Sequence, residues 1–476
     1  MAIAVPDADT VRQQIEANAG PGEEAGDDLV ALATYQRMTG AQIDATRVSG
    51  CSKVAAVLPC RAGTATVGQD EVPLEAYVHA ERLLSTGDDG RLEEVLVDDV
   101  PEDGEELDLG TLLLAAAEEA LTLDYVLFPA MSYGVGPADN PTSVGDTWES
   151  VPLNDDPQAG DGGTIVVADS GYPDRAVPTG LGFLAKVQWQ GSLEELPQAT
   201  SDPATAHGLM VAGIAGQKAP EATVIVLDAT DEAKIANPFA NGFESQMITV
   251  LSLQRSLLRY DPLGESVAVL NMSFGTYGCD PDLLIEDLQQ AGKLDDDEID
   301  TVRRYIADRE DLRGLETLFL EETIKTRFTH LVAAAGNSGT DKRFYPAAFD
   351  DVIGVGAVDE TVPNGVGCGP AWTVFETLQG PEADRPECAA DPTAPYSNHG
   401  PWVDVCLPGT DVVTAYPSDL VFHYLDLVNG HPEIVDSAVP GSLVRISGTS
   451  FAAPHVSAWL AAGLPVTEVA GFECPS

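Results

Sequence analysis

The sequence predicts an α/β fold in which a mostly parallel sheet carries helices on both faces, preceded by a smaller, mainly helical domain. Short runs rich in Val and Ile, bounded by Gly and Asp, recur after residue 163. Each run is almost continuously apolar, as strands covered on both faces are. Helical stretches such as 243–260 separate several runs, and this alternation favours a parallel sheet. The predicted strands are 164–168, 223–227, 266–272, 329–335, 352–358 and 403–407.

Composition limits the classes of protein that the chain can represent. Its 476 residues include 24 Lys plus Arg and 77 Asp plus Glu, a net charge of −53, with 44% hydrophobic residues. Such a chain can bury a sizeable core and is not of disordered type. Nucleic acid and anionic membrane surfaces would repel it, so neither is an expected partner. No apolar run approaches the ~18 residues of a membrane span, and no secretory signal is recognisable, which favours a cytoplasmic location.

The chain divides into an acidic N-terminal domain, 1–150, and a larger domain, 151–476. Apolar residues at helical spacing predict helices over 28–35, 74–81 and 109–123. The Pro-, Asn-, Asp- and Gly-containing stretch 137–163 is the best linker candidate.

Seven cysteines are sparse for this length, and none forms a Cys-x-x-Cys pair, which argues against a zinc ribbon or a thioredoxin-like site. Without a recognisable signal sequence, free thiols are the expected state. In an oxidising compartment, Cys51 with Cys60 and Cys368 with Cys388 are the pairs that would close local loops.

Four short motifs at the ends of predicted elements carry the residue types of nucleophilic catalysis. Asp169 ends a buried strand, His207 opens a helix, Asn337 follows a strand between small residues, and Ser450 opens a second helix. A serine hydroxyl needs a base such as imidazole to take its proton. A buried carboxylate orients that imidazole, and an amide or a helix N-terminus can supply donors to an oxyanion. Ligand sites of parallel sheets lie beyond the carboxyl ends of the strands, where these motifs fall.

These motifs, in this order, resemble those of the subtilisin-like serine peptidases, the subtilase family. The matching segments are Asp169-Ser170-Gly171, His207-Gly208 with Val211-Ala212-Gly213, Ala334-Ala335-Gly336-Asn337, and Gly448-Thr449-Ser450 with Ala452 and Pro454. The stretch 269–275 resembles the family's substrate-binding strand, and the likeness extends over about 164–466.

The resemblance implies a role for each matching residue. Asp169 would orient His207, His207 would act as general base and acid, and Ser450 would be the nucleophile. Asn337 and the Ser450 backbone N–H would form the oxyanion hole. Ser273, Phe274 and Gly275 would pair with the substrate backbone, and Ala335 and Gly336 would line one wall of the primary specificity pocket.

Several alternatives stay open at this stage. Taken singly, each motif residue has an ordinary structural explanation as a turn or cap residue. An α/β-hydrolase nucleophile elbow is excluded, because that fold needs Asp and then His after the Ser, and no Asp follows Ser450. A catalytically quiet scaffold and a transpeptidase that uses the same triad are the other functions considered.

The resemblance also implies expectations about cofactors, the N-terminal domain, the insertions and the partner. No cofactor is required for the chemistry, whereas structural calcium is common in the family, although no Asp-x-Asp-x-Asp-Gly loop is present. Residues 1–150 would be a propeptide removed near the linker or a permanent accessory domain. Three insertions, at 279–327, 364–395 and 415–441, would lie near the substrate cleft; the first is very acidic and predicted helical. The expected partner is a peptide or protein substrate.

Overall fold

A computed structural model gives the architecture of the chain. It describes residues 57–67, 70–87, 89–97, 108–129, 142–143, 158–170, 180–190, 207–236, 244–260, 267–292, 294–320, 327–358, 394, 396–416, 421–428, 431–438 and 443–464. In this part of the chain, no helix is long and apolar enough to span a membrane.

The described helices and strands are numbered in chain order. They are β1 (Val57–Val67), β2 (Asp70–Thr86), β3 (Leu92–Leu96), α1 (Leu109–Glu119), β4 (Thr122–Pro129), β5 (Thr142–Ser143), β6 (Gly163–Asp169), β7 (Val187–Gln190), α2 (His207–Lys218), β8 (Thr223–Asp228), β9 (Thr230–Ala236), β10 (Glu244–Thr249), α3 (Val250–Arg259), β11 (Val267–Met272), β12 (Phe274–Gly275), α4 (Pro281–Ala291), α5 (Asp296–Ala307), α6 (Arg313–Leu320), β13 (His330–Ala334), β14 (Ile353–Val358), β15 (Val405–Pro408), β16 (Val412–Ala415), β17 (Val421–Val428), β18 (His431–Ala438), β19 (Leu443–Ile446) and α7 (Thr449–Ala461).

The central element is a seven-stranded parallel sheet in the order β15-β14-β13-β11-β6-β8-β7. All six strands predicted from the apolar runs are present in it, so the predicted α/β class is confirmed. Every residue of β6 is buried, as its unbroken apolar character requires. Helix α7 packs on β11, β13 and β14, α2 packs on β6 and β8, and the two helices contact each other. The N-termini of these two helices carry His207 and the residues around Ser450.

The described residues of 57–129 lie mostly in strands, so the mainly helical domain predicted for 1–150 is wrong over this part of the chain. Strands β1, β2 and β4 form an antiparallel sheet with β3 at its side, and α1 packs against it. The predicted helix 74–81 lies in β2. Leu74, Tyr77 and Val78 fit a helical spacing, whereas Leu74, Ala76 and Val78 fit a period of two, and pairing with β1 selects the strand.

Helix α1 confirms most of the helix predicted over 109–123. It ends at Ala120, which adopts a left-handed conformation with φ of 55°, and the last predicted residues begin β4. The helix predicted at 28–35 and most of the linker lie outside the described residues.

Strand β4 joins the N-terminal sheet to the larger domain. Besides β2, it pairs antiparallel with β10 and with β12, which gives the strand order β1-β2-β4-β10-β9. In the register with β12, Pro129 lies opposite Phe274 and Phe128 opposite Gly275. The segment predicted to bind substrate is therefore already paired with a strand of the same chain.

The cysteines differ from the expectation of free thiols. Cys60 on β1 forms a disulfide with Cys279, 219 residues further along the chain, and Cys406 is also disulfide-bonded. The local pairing considered for Cys60, with Cys51, does not account for this bond. Spacing along the sequence did not reveal it, because the two residues meet only when β1 packs beside the start of α4.

The structure describes parts of the three insertions predicted from the sequence. The acidic segment 279–327 contains α4, α5 and α6, as predicted. Almost all of 364–395 lies outside the described residues. In 415–441, β17 and β18 form an antiparallel pair. The helix predicted over 243–260 begins only at Val250, because its first residues form β10.

Candidate active site

Asp169 and His207 meet at the carboxyl end of β6. Asp169 is the last residue of that strand and His207 the first of α2, and both are fully buried. His207 Nδ1 lies 2.8 Å from Asp169 Oδ1 and 2.9 Å from Oδ2. Glycine at position 208 permits this approach, because a Cβ there would overlap the carbonyl oxygen of Ser170. The carboxylate is thus placed to hold the proton on Nδ1 and leave Nε2 as the basic nitrogen.

Ser450 is the second residue of α7 and is also fully buried. Its hydroxyl donates to the carbonyl oxygen of Ser273 at 2.6 Å, and the Ser273 hydroxyl donates back to the Ser450 carbonyl at 2.9 Å. The ring of Phe451 packs on the His207 ring with centroids 5.6 Å apart. The structure therefore brings the residue after Ser450 against His207, while the Ser450 hydroxyl itself bonds to Ser273.

Asn337 faces the start of the same helix. Its Oδ1 accepts hydrogen bonds from the backbone N–H and the hydroxyl of Thr449, both at 2.8 Å. Since both partners are donors, the oxygen assignment is fixed and Nδ2 is the remaining donor. Six buried side-chain atoms of the described residues have no hydrogen-bond partner, and two of them, Asn337 Nδ2 and His207 Nε2, lie at this site. Leaving a buried donor or acceptor unsatisfied costs about 1–3 kcal/mol, so these two atoms mark a site built to receive another group.

Sequence reasoning missed Thr449, which orients Asn337, the predicted oxyanion donor. Its hydroxyl accepts from the Gly336 N–H at 3.0 Å while donating to Asn337. It therefore ties 335–337 to the beginning of α7. The signal was present, because Thr449 lies directly before the candidate nucleophile, but hydroxyl groups are so common at helix starts that its partner was not predictable.

The five predicted substrate-binding residues lie on two segments beside Ser450. Ser273, Phe274 and Gly275 form and precede β12, and Ala335 and Gly336 follow β13. Asn271 Nδ2 donates to the Ser273 hydroxyl at 2.9 Å, and Ser457 on α7 donates to Asn271 Oδ1 at 2.8 Å. This chain of hydrogen bonds fixes β12 against the helix that carries Ser450.

The described residues contain no group of three or more His, Cys, Asp or Glu side chains placed to hold a metal ion. Structural calcium therefore stays a prediction. The groups available for chemistry are the carboxylate, imidazole, hydroxyl and amide that surround the start of α7.

An Asp–His pair, a serine at a helix N-terminus and an unpaired amide donor lie at the carboxyl edge of a parallel sheet, and these are the groups that serine peptidases of α/β type use. The characteristic sequence pattern of the subtilase family matches residues 160–464, well over half of the chain, and the chain belongs to that family.

Individual relatives are more distant. A thermophilic serine proteinase from Bacillus sp. (strain AK1) is 32% identical over 128 residues, which is 27% of this chain and 19% of that relative's length. The patellamide maturation protease PatA is 23% identical, with a TM-score of 0.36 over 66% of this chain and 82% of PatA. A cold-adapted subtilisin-like serine proteinase is 16% identical, with a TM-score of 0.34 over 72% of this chain and 90% of the other.

Proposed function

We propose that the chain is a serine endopeptidase that cleaves peptide bonds through an acyl-enzyme. Ser450 Oγ attacks the scissile carbonyl carbon while His207 Nε2 takes its proton, and the protonated imidazole then donates that proton to the leaving amine. Water repeats the sequence on the ester, with His207 as base, and releases the acid. Asp169 holds the imidazole through Nδ1. Asn337 Nδ2 and the Ser450 N–H donate to the oxyanion. No cofactor enters these steps.

The observation that carries this proposal is the pairing of β4 with β12. Two neighbouring residue pairs, Phe274 with Pro129 and Gly275 with Phe128, align an antiparallel strand on the segment that bonds to Ser450. On its other side β4 pairs with β10, where Leu127 lies opposite Ile248. A peptide held in this way has its backbone recognised on both edges, which is how an extended substrate adds to a sheet.

The same pairing supports a propeptide role for the N-terminal domain. Strand β4 occupies the position of an extended substrate, and the site beside it is closed to solvent, since Ser450 and His207 are fully buried. A strand in that position excludes other substrates until the chain after Pro129 is cut and the strand leaves. A permanent accessory domain would keep β4 in the cleft and the serine covered.

A catalytically quiet scaffold is the competing function. The buried unpaired atoms His207 Nε2 and Asn337 Nδ2 weigh against it, because a binding module gains nothing from unsatisfied polar groups in its core. Transpeptidation shares every step up to the acyl-enzyme and differs only in whether an amine or water attacks it. The mass of the product distinguishes these two reactions.

Intact-mass spectrometry of the full chain tests the proposal. The wild-type chain is incubated with a fluorophosphonate, then denatured and reduced. We expect cleavage in the chain after Pro129 and a single adduct on the larger piece. Ser450→Ala should show neither. Ser256→Ala, a matched control on α3 whose hydroxyl donates to the carbonyl oxygen of Asp228 at 2.7 Å, should behave as wild type. An uncut and unlabelled wild-type chain, or cutting and labelling that persist in Ser450→Ala, would refute the proposal.

A further inference from the structure

The side chain of Phe344 lies between the two backbone segments that flank Ser450. It is fully buried. A methyl group placed on Gly336 would meet ring atoms Cγ and Cδ1 at 3.0 Å, and one placed on Gly275 would overlap the same ring. The aromatic ring therefore fills the space between β12 and 335–336.

Two sets of contacts hold the ring in this position. Tyr345 N–H donates to the Thr276 carbonyl and Thr276 N–H donates to the Tyr345 carbonyl, each at 2.8 Å, so residue 344 is fixed beside β12. The Tyr277 ring packs edge-on against Phe344 with centroids 5.0 Å apart. Tyr277 in turn donates its hydroxyl proton to Ser338 Oγ at 2.6 Å. A well-packed ring of this kind does not move aside without a penalty.

Polar groups beneath the ring close the same space. Asn398 Nδ2 donates to the carbonyl oxygen of Ala335 at 2.8 Å and to the Tyr277 hydroxyl at 3.0 Å. A Cβ on Gly336 would meet this nitrogen at 2.6 Å. Every donor and acceptor named here is already hydrogen-bonded. The space beneath the Phe344 ring therefore offers no free polar group to bind a long polar side chain of a substrate.

Substrate geometry connects this space to cleavage preference. The carbonyl attacked by Ser450 must lie near Asn337, and the backbone leading to it pairs with β12. The side chain of the residue that supplies this carbonyl then points between β12 and 335–336, where Phe344 already lies.

We infer that Phe344 makes the enzyme selective for substrates with Gly, Ala or Ser immediately before the scissile bond. This inference rests on the proposed peptidase function and deepens it. The chain's own sequence is compatible with this preference, because the residue that follows Pro129, the last paired residue of β4, is Ala130. Discrimination by pocket size is typically 10–200-fold per methylene-sized change, so we expect Ala to exceed Phe at this position by at least about 100-fold in kcat/KM.

The test uses tetrapeptide p-nitroanilides, identical except for Gly, Ala, Leu or Phe before the cleaved bond. The full chain is incubated until its mass no longer changes, treated with dithiothreitol so that the disulfide between Cys60 and Cys279 no longer holds the N-terminal piece, and then assayed. Wild type should prefer Ala, and Phe344→Ala should raise kcat/KM for Phe and Leu by about 10-fold or more while the Ala substrate changes little. Phe349→Ala removes a ring of the same size that packs on Tyr345 and Phe319, and it should keep the wild-type preference.

The outcomes separate this inference from the proposed function. A wild-type chain that labels with fluorophosphonate but cleaves after Phe as well as after Ala overturns the inference alone, even if Phe344→Ala does not fold. A preference that is the same in wild type and a folded Phe344→Ala also overturns it. A wild-type chain that neither labels nor cleaves any of the four substrates overturns the proposed function, and the inference with it.

Discussion

Arg82 on β2 joins the N-terminal sheet to the larger domain through a buried ion-pair network. Replacing Arg82 should lower the free energy of unfolding. Its Nε lies 2.5 Å from Asp124 Oδ2 on β4, and its Nη2 lies 2.6 Å from Asp231 Oδ2 on β9. Nη2 also donates to the Thr249 hydroxyl at 3.0 Å. All four residues are buried. Arg82→Met keeps much of the aliphatic stem and removes the charge.

The expected loss is about 3–5 kcal/mol of unfolding free energy, the usual result of leaving a buried charge without its partner. Asp124 would keep one hydrogen bond, from the Leu251 N–H at 3.1 Å. Burial already raises the pKa of Asp124 to about 6, and loss of the cation raises it further. The variant can therefore avoid part of the penalty by protonating Asp124, so the loss should be larger at pH 8 than at pH 5.

Urea unfolding measures this effect, with every chain carrying Ser450→Ala so that no proteolysis occurs. The control is Arg91→Met, whose ion pair with Asp89 is more than half exposed on both sides and should contribute less than about 1 kcal/mol. Equal unfolding midpoints for Arg82→Met and Arg91→Met at pH 8 would contradict the buried network. They would also contradict the packing of the N-terminal sheet on β9.

Three further predictions concern the active site and a second buried carboxyl group. Asn337→Ala should lower kcat by about 10²–10³, with little change in KM, because in the proposed mechanism the amide acts on the oxyanion and not on the ground state. Asp169→Asn should lower kcat by about 10⁴ while leaving the fold intact, since the imidazole takes the wrong tautomer. Burial raises the pKa of Asp311 to about 6, so the folded state binds its proton more tightly than the unfolded state. Its stabilising contribution is therefore present below about pH 4 and is lost as the pH rises to about 6. Relative to the parent, Asp311→Asn should thus gain up to about 3 kcal/mol of unfolding free energy between pH 4 and pH 7.

Each of these predictions has a result that would contradict it. An unchanged kcat in Asn337→Ala would show that the amide does not stabilise the oxyanion. An unchanged kcat in Asp169→Asn would show that the carboxylate does not orient the imidazole. For Asp311, urea unfolding is measured in the Ser450→Ala background. A difference in unfolding midpoint between Asp311→Asn and the parent that stays constant from pH 4 to pH 7 would show that Asp311 does not titrate in this range. Its hydrogen bond from Tyr125 at 2.6 Å can persist with asparagine, which keeps an acceptor oxygen.

The strands of the central sheet were predictable because their information is local. An unbroken apolar run such as 164–168 has few alternatives to a strand covered on both faces. The positions of Asp169, His207, Asn337 and Ser450 followed for the same reason, because each lies at the end of such an element.

The N-terminal sheet was not predictable, because its information is non-local. The residues of 74–81 satisfy a helical and a strand spacing equally well, and only pairing with β1 decides between them. Strand β10 was assigned to the start of a predicted helix, because one of its two pairing partners, β4, lies more than 100 residues earlier in the chain. The ion pairs of Arg82 likewise depend on strands that come together only in the folded protein.

The disulfide between Cys60 and Cys279 changes what cleavage after Pro129 would accomplish. A cut there separates the polypeptide into two chains but leaves them covalently joined, so the N-terminal piece returns to the cleft at an effective concentration on the order of millimolar. A piece with even micromolar affinity would then cover the serine about 99.9% of the time. We expect full activity only after thiol–disulfide exchange with a dithiol reductant frees the piece, and a cut chain that is equally active with and without dithiothreitol would contradict this. The redox poise of the surroundings would then determine what fraction of the cut enzyme is active.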